Sequence, residues 1–218
     1  MNESSLAPTD GADTRRGRIL QAAERVFARE GYHGTTLRTI ATSADVKLSL
    51  LVYHFDTKLS LYRAVFDRRQ YVNDQRLELL RSVDVASPDA IDSLVSAFLD
   101  PVLRLHDDPA DIWFARLALR EASDPSSQQR GIIRDLFDPM AREFIETIRR
   151  VNPGHEPGFY TWSYLFAVGA LTSSAFDGRA VDLGQDDETT ASPPGDSKAA
   201  TLRTFIAAGW GARSPGRE

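Results

Sequence analysis

Apolar residues recur at spacings of three and four along most of this chain, which is the pattern of amphipathic helices. The first such segment is predicted to run from Asp13 or Thr14 to about Glu30, with Gly31 or Gly34 ending it. Strand signals are absent beyond residue 83. The pattern predicts an all-α protein of about nine helices.

Pro, Gly and Asp mark the expected ends of the later helices. A helix that begins at Asp56 or Thr57 is predicted to continue to Leu80 or Val83, because no Gly or Pro interrupts it. The following helices are predicted at about 87–106, 108–123, 127–151, 157–177 and 196–210. Residues 179–197 are rich in Asp, Gly, Thr and Pro, which predicts a flexible acidic loop.

The segment from Gly34 to Tyr62 contains two short helices, a tight turn and the capped start of another helix. Thr35 or Thr36 can cap the first helix, and Asp45 tolerates the left-handed backbone that the turn requires. This arrangement predicts a helix-turn-helix, which places a helix in the major groove of DNA. The alternative is a pair of ordinary amphipathic helices within an all-α core.

The second of these helices is unusually apolar for its length. Val46, Leu51 and Phe55 are spaced to fill a small core. The candidates for the outward face are therefore Lys47, Leu48, Ser49, Leu50, Val52 and Tyr53. A helix that is apolar all round is normally buried. Lys47, Tyr53, His54 and Lys58 lie near its ends and suit phosphate, which favours the DNA-binding interpretation.

Composition excludes several classes of site. The 218 residues are 42% hydrophobic and include no cysteine, so disulfides, thiolate catalysis and cysteine-ligated metals are excluded. Four scattered histidines give no metal-ligand spacing, and we predict neither a cofactor nor a metal. Residues 1–13 are polar and predicted to form a disordered tail. Because no apolar run approaches the length of a membrane span, we expect a cytoplasmic protein without a membrane partner.

The distribution of charge supports a polyanionic partner although the net charge is −5. Residues 14–69 contain eleven basic and five acidic side chains, so this part carries +6 and the remainder carries −11. A basic segment in an otherwise acidic protein favours the approach of that segment to DNA. A solvated basic face is the alternative interpretation.

The residues from about Thr14 to Arg69 resemble the amino-terminal DNA-binding domain of the tetracycline-repressor (TetR) family. The resemblance rests on Glu30-Gly31-Tyr32, Thr35 to Ala41, Ala44-Asp45-Val46, Tyr53-His54-Phe55 and Lys58. Val46 to Leu51 and Leu61 to Val65 look most like the CecR-like branch of the family.

The resemblance implies a DNA-binding domain at residues 14–56 and a helical regulatory and dimerisation domain at 57–213. It further implies a homodimer that binds a double-stranded operator and a small-molecule effector, with repression more expected than activation. The implied DNA-binding residues are Thr36, Arg38, Lys47, Leu48, Ser49, Leu50, Val52, Tyr53, His54 and Lys58.

Three positions depart from the family pattern. Asp45 replaces a Gly at the turn, Lys47 replaces the usual Ser, Thr or Asn cap, and Val52 replaces a frequent Tyr. Loss of the cap should weaken the free helix by about 1 kcal/mol. Since Leu48, Leu50 and Val52 lack hydrogen-bonding groups, we expect apolar contacts with thymine methyl groups to contribute to base recognition.

Two further sets of residues are predicted in the regulatory domain. The helix from residue 157 and the last helix resemble the family's dimeric four-helix bundle, which implicates Phe159, Trp162, Phe166, Gly169, Ala170, Leu202, Phe205 and Ile206. Burial within one subunit is the alternative. An effector pocket is predicted at Phe98, Trp113, Phe114, Arg116, Arg120 and Phe137, although each residue type there is also ordinary in a core or at a surface.

Two rival functions remain at this point. An enzyme of the Ser-His-Asp type needs a nucleophile on a strained turn beside its base, and none of the four histidines has that context. The sequence therefore predicts no enzyme. A helical protein-interaction module that never binds DNA is the second rival, and the cationic groups from Lys47 to Lys58 argue against it.

Overall fold

Twelve α-helices and no strand are found in the residues that this computed structural model describes, which are 14–107, 111–173 and 195–213. The helices are α1 (Arg15–Gly34), α2 (Leu37–Ser43), α3 (Leu48–Phe55), α4 (Lys58–Arg68), α5 (Tyr71–Arg81), α6 (Ala90–Asp107), α7 (Ile112–Ser123), α8 (Ser127–Arg130), α9 (Ile132–Leu136), α10 (Asp138–Val151), α11 (Pro157–Ser173) and α12 (Gly195–Trp210). The all-α prediction is confirmed. The number exceeds nine because two of the expected long helices are interrupted.

The uninterrupted helix predicted from residue 57 to about 83 is wrong, because α4 ends at Arg68 and α5 begins at Tyr71. Arg69 leaves the helical conformation, and its guanidinium donates to the two carboxylate oxygens of Glu24 at 3.0 and 2.9 Å. The same guanidinium donates to Asp111. The break therefore lies at a buried ion pair between residues that are distant in sequence.

The single helix predicted at 127–151 is also wrong, because α8, α9 and α10 occupy that stretch. Gly131 ends α8 in the left-handed conformation, with φ 70° and ψ 5°. Such a φ suits glycine because it has no Cβ. Phe137 separates α9 from α10 and stands at the N-cap of α10. Pro139 lies in the first turn of α10.

Most other helix ends agree with the predictions. Thr14 caps α1, and Gly31, with φ 73°, ends the regular part of that helix. Residues 108–110 and 174–194 lie outside the described residues. Three predictions fall there: the start of the 108–123 helix, the end of the 157–177 helix and most of the acidic loop. The last helix, predicted from about Asp196, begins at Gly195 as α12. No helix in the described ranges is long and apolar enough to cross a membrane.

The chain divides into two compact units. The first comprises Met1–Asp74 and Leu105–Leu136, and the second comprises Gln75–Arg104 and Phe137–Glu218. The two units divide the chain at residues other than 56, and they group segments by contacts rather than by function. The domain boundary predicted after residue 56 therefore stays a prediction.

Each unit has its own aromatic core. In the first unit the Tyr62 ring lies edge-on to Phe27, at 4.7 Å between centroids, and to Phe66 at 5.2 Å. In the second unit Phe98 makes edge contacts with Phe144 at 5.6 Å and Trp210 at 5.3 Å. These rings supply much of the apolar area that stabilises each unit.

Candidate nucleic-acid interface

The turn between α2 and α3 has the geometry of a helix-turn-helix. Thr36 caps α2, since its hydroxyl oxygen accepts from the backbone N–H of Thr39 at 3.0 Å. Asp45 adopts the predicted left-handed conformation, with φ 52°. The backbone N–H of Val46 then donates to the carbonyl of Ala41 at 3.0 Å, which closes the turn.

Helix α3 has one buried face and one exposed face. Leu51 and Phe55 are buried one helical turn apart, as predicted, and Val46 is half-buried. On the other face Leu48 is 38% exposed, Val52 39% and Tyr53 83%. An apolar helix surface of this kind is available for contact with a partner.

The remaining predicted residues of this helix lie around that face. Lys47 and Ser49 are exposed, whereas Leu50 and His54 are half-buried. The start of α3 is uncapped as expected, because Lys47 stands at the N-cap and makes no side-chain capping bond. The unused N–H groups of the first turn favour an anion such as a DNA phosphate.

Lys58 lies differently from what its predicted phosphate contact suggests. Its ammonium group donates to the carbonyls of Tyr32 at 2.9 Å and Thr35 at 3.0 Å, and lies 4.4 Å from the centroid of the Tyr32 ring. Burial lowers the pKa of this ammonium. Lys58 therefore links the start of α4 to the end of α1 and to the residue that follows it. Its contact with DNA stays a prediction.

Other cations surround the helix-turn-helix. Arg38 is exposed on α2, beside the exposed Thr36. Arg16 of α1 lies over the Phe55 ring, with its guanidinium carbon 5.3 Å from the ring centroid. That contact was not predictable from helical spacing, which does not indicate which residue on another helix a side chain meets.

The predicted pocket residues are divided between the two units. Trp113, Phe114, Arg116 and Arg120 belong to the first unit, whereas Phe98 and Phe137 belong to the second. Phe114 and Phe98 are buried in the cores of their respective units. Arg120 donates to the carbonyls of Ala28 and Arg29 at the end of α1. The pocket therefore stays a prediction.

The predicted dimer residues lie along α11 and α12. Trp162 is 59% exposed, Phe166 65% and Phe205 63%, and they line an apolar groove of about 470 Å³. The groove is also lined by Phe159 and by Ile206, which is buried with Leu202. Gly169 is exposed and Ala170 is half-buried.

Family comparisons agree with this geometry at both ends of the chain. The family described as "Bacterial regulatory proteins, tetR family" matches residues 19–65, and "Tetracyclin repressor-like, C-terminal domain" matches residues 96–209. The second match alone spans more than half of the chain. The chain belongs to the TetR family. The members of this family are bacterial regulatory proteins, and the curated relatives are transcriptional regulators rather than enzymes.

Curated TetR-type relatives match parts of the chain. The transcriptional activator FasR of Mycolicibacterium smegmatis is 38% identical over 40% of this chain and 40% of its own length. The regulator SrpR of Pseudomonas putida is 29% identical over 64% of this chain and 60% of its own length. IcaR of Staphylococcus aureus, a negative regulator of a biofilm operon, is 47% identical over 21% of this chain and 24% of its own length. The matches with FasR and SrpR thus span less than two thirds of those relatives.

Solved structures share the fold. A TetR family transcription regulator from Shewanella sp. PV-4 has a TM-score of 0.60 at 16% identity, over 88% of this chain and 96% of that one. A transcriptional regulator from Saccharomonospora viridis in complex with choline has a TM-score of 0.55 at 20% identity, over 88% and 94%. The assignment to the CecR-like branch stays a prediction.

Proposed function

We propose that this TetR-family protein acts as a homodimeric repressor that binds a palindromic operator and is released by a small-molecule effector. The exposed face of α3 carries the proposal for DNA. Leu48, Val52 and Tyr53 are too exposed to be core residues, and they share one short helix with an uncapped start. Arg38 and Lys47 supply nearby cations for phosphate contacts.

The apolar surface of α11 supports the homodimer. Tyr160, Tyr164, Ala167 and Leu171 are buried on one face, yet Trp162, Leu165 and Phe166 are exposed on another. A helix that is apolar on several sides needs a second partner for its remaining apolar surface. A second copy of α11 and α12 is the occupant that family membership favours.

The dimer gives the operator its expected form. Two recognition helices related by two-fold symmetry read two half-sites about 34–36 Å apart, which is one turn of DNA. An effector that binds better to a state with a different spacing lowers DNA occupancy by its differential affinity. The choline complex of the Saccharomonospora viridis protein supports small-molecule binding within this fold.

Selection of DNA by the purified full chain, followed by sequencing, tests operator binding. We expect an inverted repeat, and a gel shift should show weakened binding by Tyr53→Ala and Arg38→Ala. Arg149→Ala is the matched control, since Arg149 is an exposed arginine of the second unit. Failure to enrich any sequence, or equal loss with the control, would contradict the proposal.

Sedimentation analysis tests the dimer. Phe166→Asp places a charge in the apolar groove and should shift the protein towards monomer without loss of helicity, because Phe166 is largely exposed in one chain. Leu79→Asp changes an exposed leucine that does not line the groove and should leave the mass unchanged. A dimer that persists in Phe166→Asp would refute this interface.

Activation is the second candidate function on the same fold. The relatives include a named activator, FasR, and a named negative regulator, IcaR. A reporter gene under the selected operator distinguishes the two, since deletion of the regulator raises expression under repression and lowers it under activation.

A further inference from the structure

A buried arginine on α5 lies in the core of the second unit. Arg76 is 5% exposed, and it shares the inward face of α5 with Val72 and Leu80, which lie four residues away on either side. Its position in this apolar repeat is a signal that was available in the sequence. Arginine is almost never fully buried unless a partner neutralises it.

Arg76 has no anionic partner within the ranges that the structure describes. Its Nε–H donor is buried without a hydrogen-bond acceptor. Its guanidinium carbon lies 4.6 Å from the Phe98 ring centroid and 5.3 Å from that of Phe144. These ring faces attract the cation but offer no oxygen lone pair to its N–H groups. Burial lowers the pKa of this guanidinium.

Two polar side chains of the second unit lie in the same region. The Tyr164 phenol is close enough for its pKa to be affected by Arg76 and by Asp138, although burial dominates and raises it. Asp138 is partly exposed and forms an ion pair with Arg142 at 3.9 Å. Among the described residues Asp138 pairs with Arg142 and forms no ion pair with Arg76.

Two other arginines, one buried and one largely buried, show how this chain ordinarily compensates such a charge. Arg69 binds Glu24 and Asp111, and Arg130 binds Glu121 and Asp124. A buried cation without a carboxylate loses solvation that ring contacts only partly replace. Arg76 alone among these three lacks the anion.

We propose that Arg76 anchors an effector site for a monocarboxylate with an apolar or aromatic body. The inference rests on the proposed effector response and names the effector's chemical class. A carboxylate accepts two N–H donors of a guanidinium and neutralises its single charge, whereas a doubly charged phosphate would leave an excess negative charge in an apolar core. Phe98, Phe144 and Tyr164 supply the surface for the apolar body.

Entry of such a ligand requires side chains of this cluster to move, because they are closely packed. That movement couples occupancy of the site to the conformation of the second unit. The competing explanation is a purely structural arginine that the two rings hold in place. The two explanations differ in what happens when carboxylates are added.

Thermal unfolding of the full chain in the presence of straight-chain and phenyl-substituted monocarboxylates, each paired with its primary amide, tests the proposal. We expect a carboxylate to raise the wild-type Tm by about 5–10 °C at a hundredfold excess over its Kd, and its amide to have little effect. Arg76→Met should weaken the binding of that carboxylate at least about 30-fold. It should also raise the Tm of the ligand-free protein.

Two further variants keep the test decisive. Arg76→Gln retains hydrogen-bond donors without the charge, and should lose the preference for carboxylate over amide even if Arg76→Met folds poorly. Arg81→Met changes an exposed arginine on the same helix and should respond to carboxylates as the wild type does. No preference for any carboxylate in the wild type, or the same preference in Arg76→Gln, would overturn the proposal.

Operator binding measured with and without the carboxylate separates this inference from the proposed function. Carboxylate binding that depends on Arg76, without an effect on operator affinity, supports the site and contradicts effector-controlled release. Effector-controlled release that is unchanged in Arg76→Gln supports the proposed function and contradicts the site.

Discussion

Removal of the Arg130 guanidinium should destabilise the first unit more than removal of any exposed cation. Arg130 and Glu121 have side chains that are 4% and 1% exposed, and three N–H donations join them at 3.2, 3.0 and 2.7 Å. The Tyr62 hydroxyl also donates to Glu121 at 2.8 Å. Arg130→Met removes the positive charge but keeps an apolar side chain in the space.

The magnitude follows from what Arg130→Met leaves behind. The Glu121 carboxylate keeps the hydrogen bond from Tyr62 but loses its cation in a buried setting. Breaking a buried ion pair in this way costs about 3–5 kcal/mol, because an uncompensated charge remains. For a chain of this size the Tm should fall by roughly 6–20 °C.

Urea and thermal unfolding at one fixed protein concentration measure this loss. Arg149→Met is the control, because Arg149 and Glu146 form an ion pair with side chains 47% and 57% exposed, and its effect should stay within about 0.5 kcal/mol. Adding Glu121→Gln to Arg130→Met removes the stranded charge and keeps an acceptor for Tyr62, so stability should partly recover. A double variant no more stable than Arg130→Met would refute the reasoning.

Three more predictions concern the turn, the operator and acid stability. Asp45→Gly should stabilise the protein by up to about 1 kcal/mol in urea unfolding, since φ 52° is strained for a residue with a Cβ; a loss of stability would show that the Asp side chain matters more than its strain. Replacement of thymine by uracil in the selected operator should weaken binding in a titration, because α3 presents Leu48 and Val52; unchanged affinity would remove the thymine-methyl hypothesis. Hydrogen bonds from Ser126 and Arg130 lower the pKa of Asp124 from 3.8 to about 2. The stability that this carboxylate contributes should therefore be present above pH 3.8 and be lost between about pH 4 and 2, and Asp124→Asn should reduce that loss in acid titrations followed by circular dichroism.

Local chemistry made the helix-turn-helix predictable from the sequence. The cap at Thr36, the left-handed turn at Asp45 and the inward pair Leu51 and Phe55 depend on neighbours within a few residues. The uncapped start of α3 at Lys47 was predictable for the same reason. The base contacts made by these residues stay predictions, because they depend on a partner.

Contacts between distant residues account for most of what the sequence did not reveal. The break after α4 lies where Arg69 binds Glu24 and Asp111, which are 45 and 42 residues away along the chain. Lys58 carries a charge that suits phosphate, yet its ammonium binds two carbonyls at the end of α1 and just after it. Helical spacing indicates which face of a helix is buried, but not which residue it meets. The break at Gly131 is different, because that glycine was visible in the sequence.

The three helices around the turn differ in how their first turns are satisfied. Thr36 caps α2 and Thr57 caps α4 through bonds of 3.0 Å to backbone N–H groups, whereas Lys47 gives α3 none. The missing bond is worth about 1 kcal/mol, and α3 also leaves Leu48 and Val52 partly exposed. Both features leave the recognition helix less stabilised than its neighbours when it is free. A phosphate at its first turn and a thymine methyl group at its exposed face would supply both missing interactions, so DNA binding should stabilise α3 more than α2 or α4.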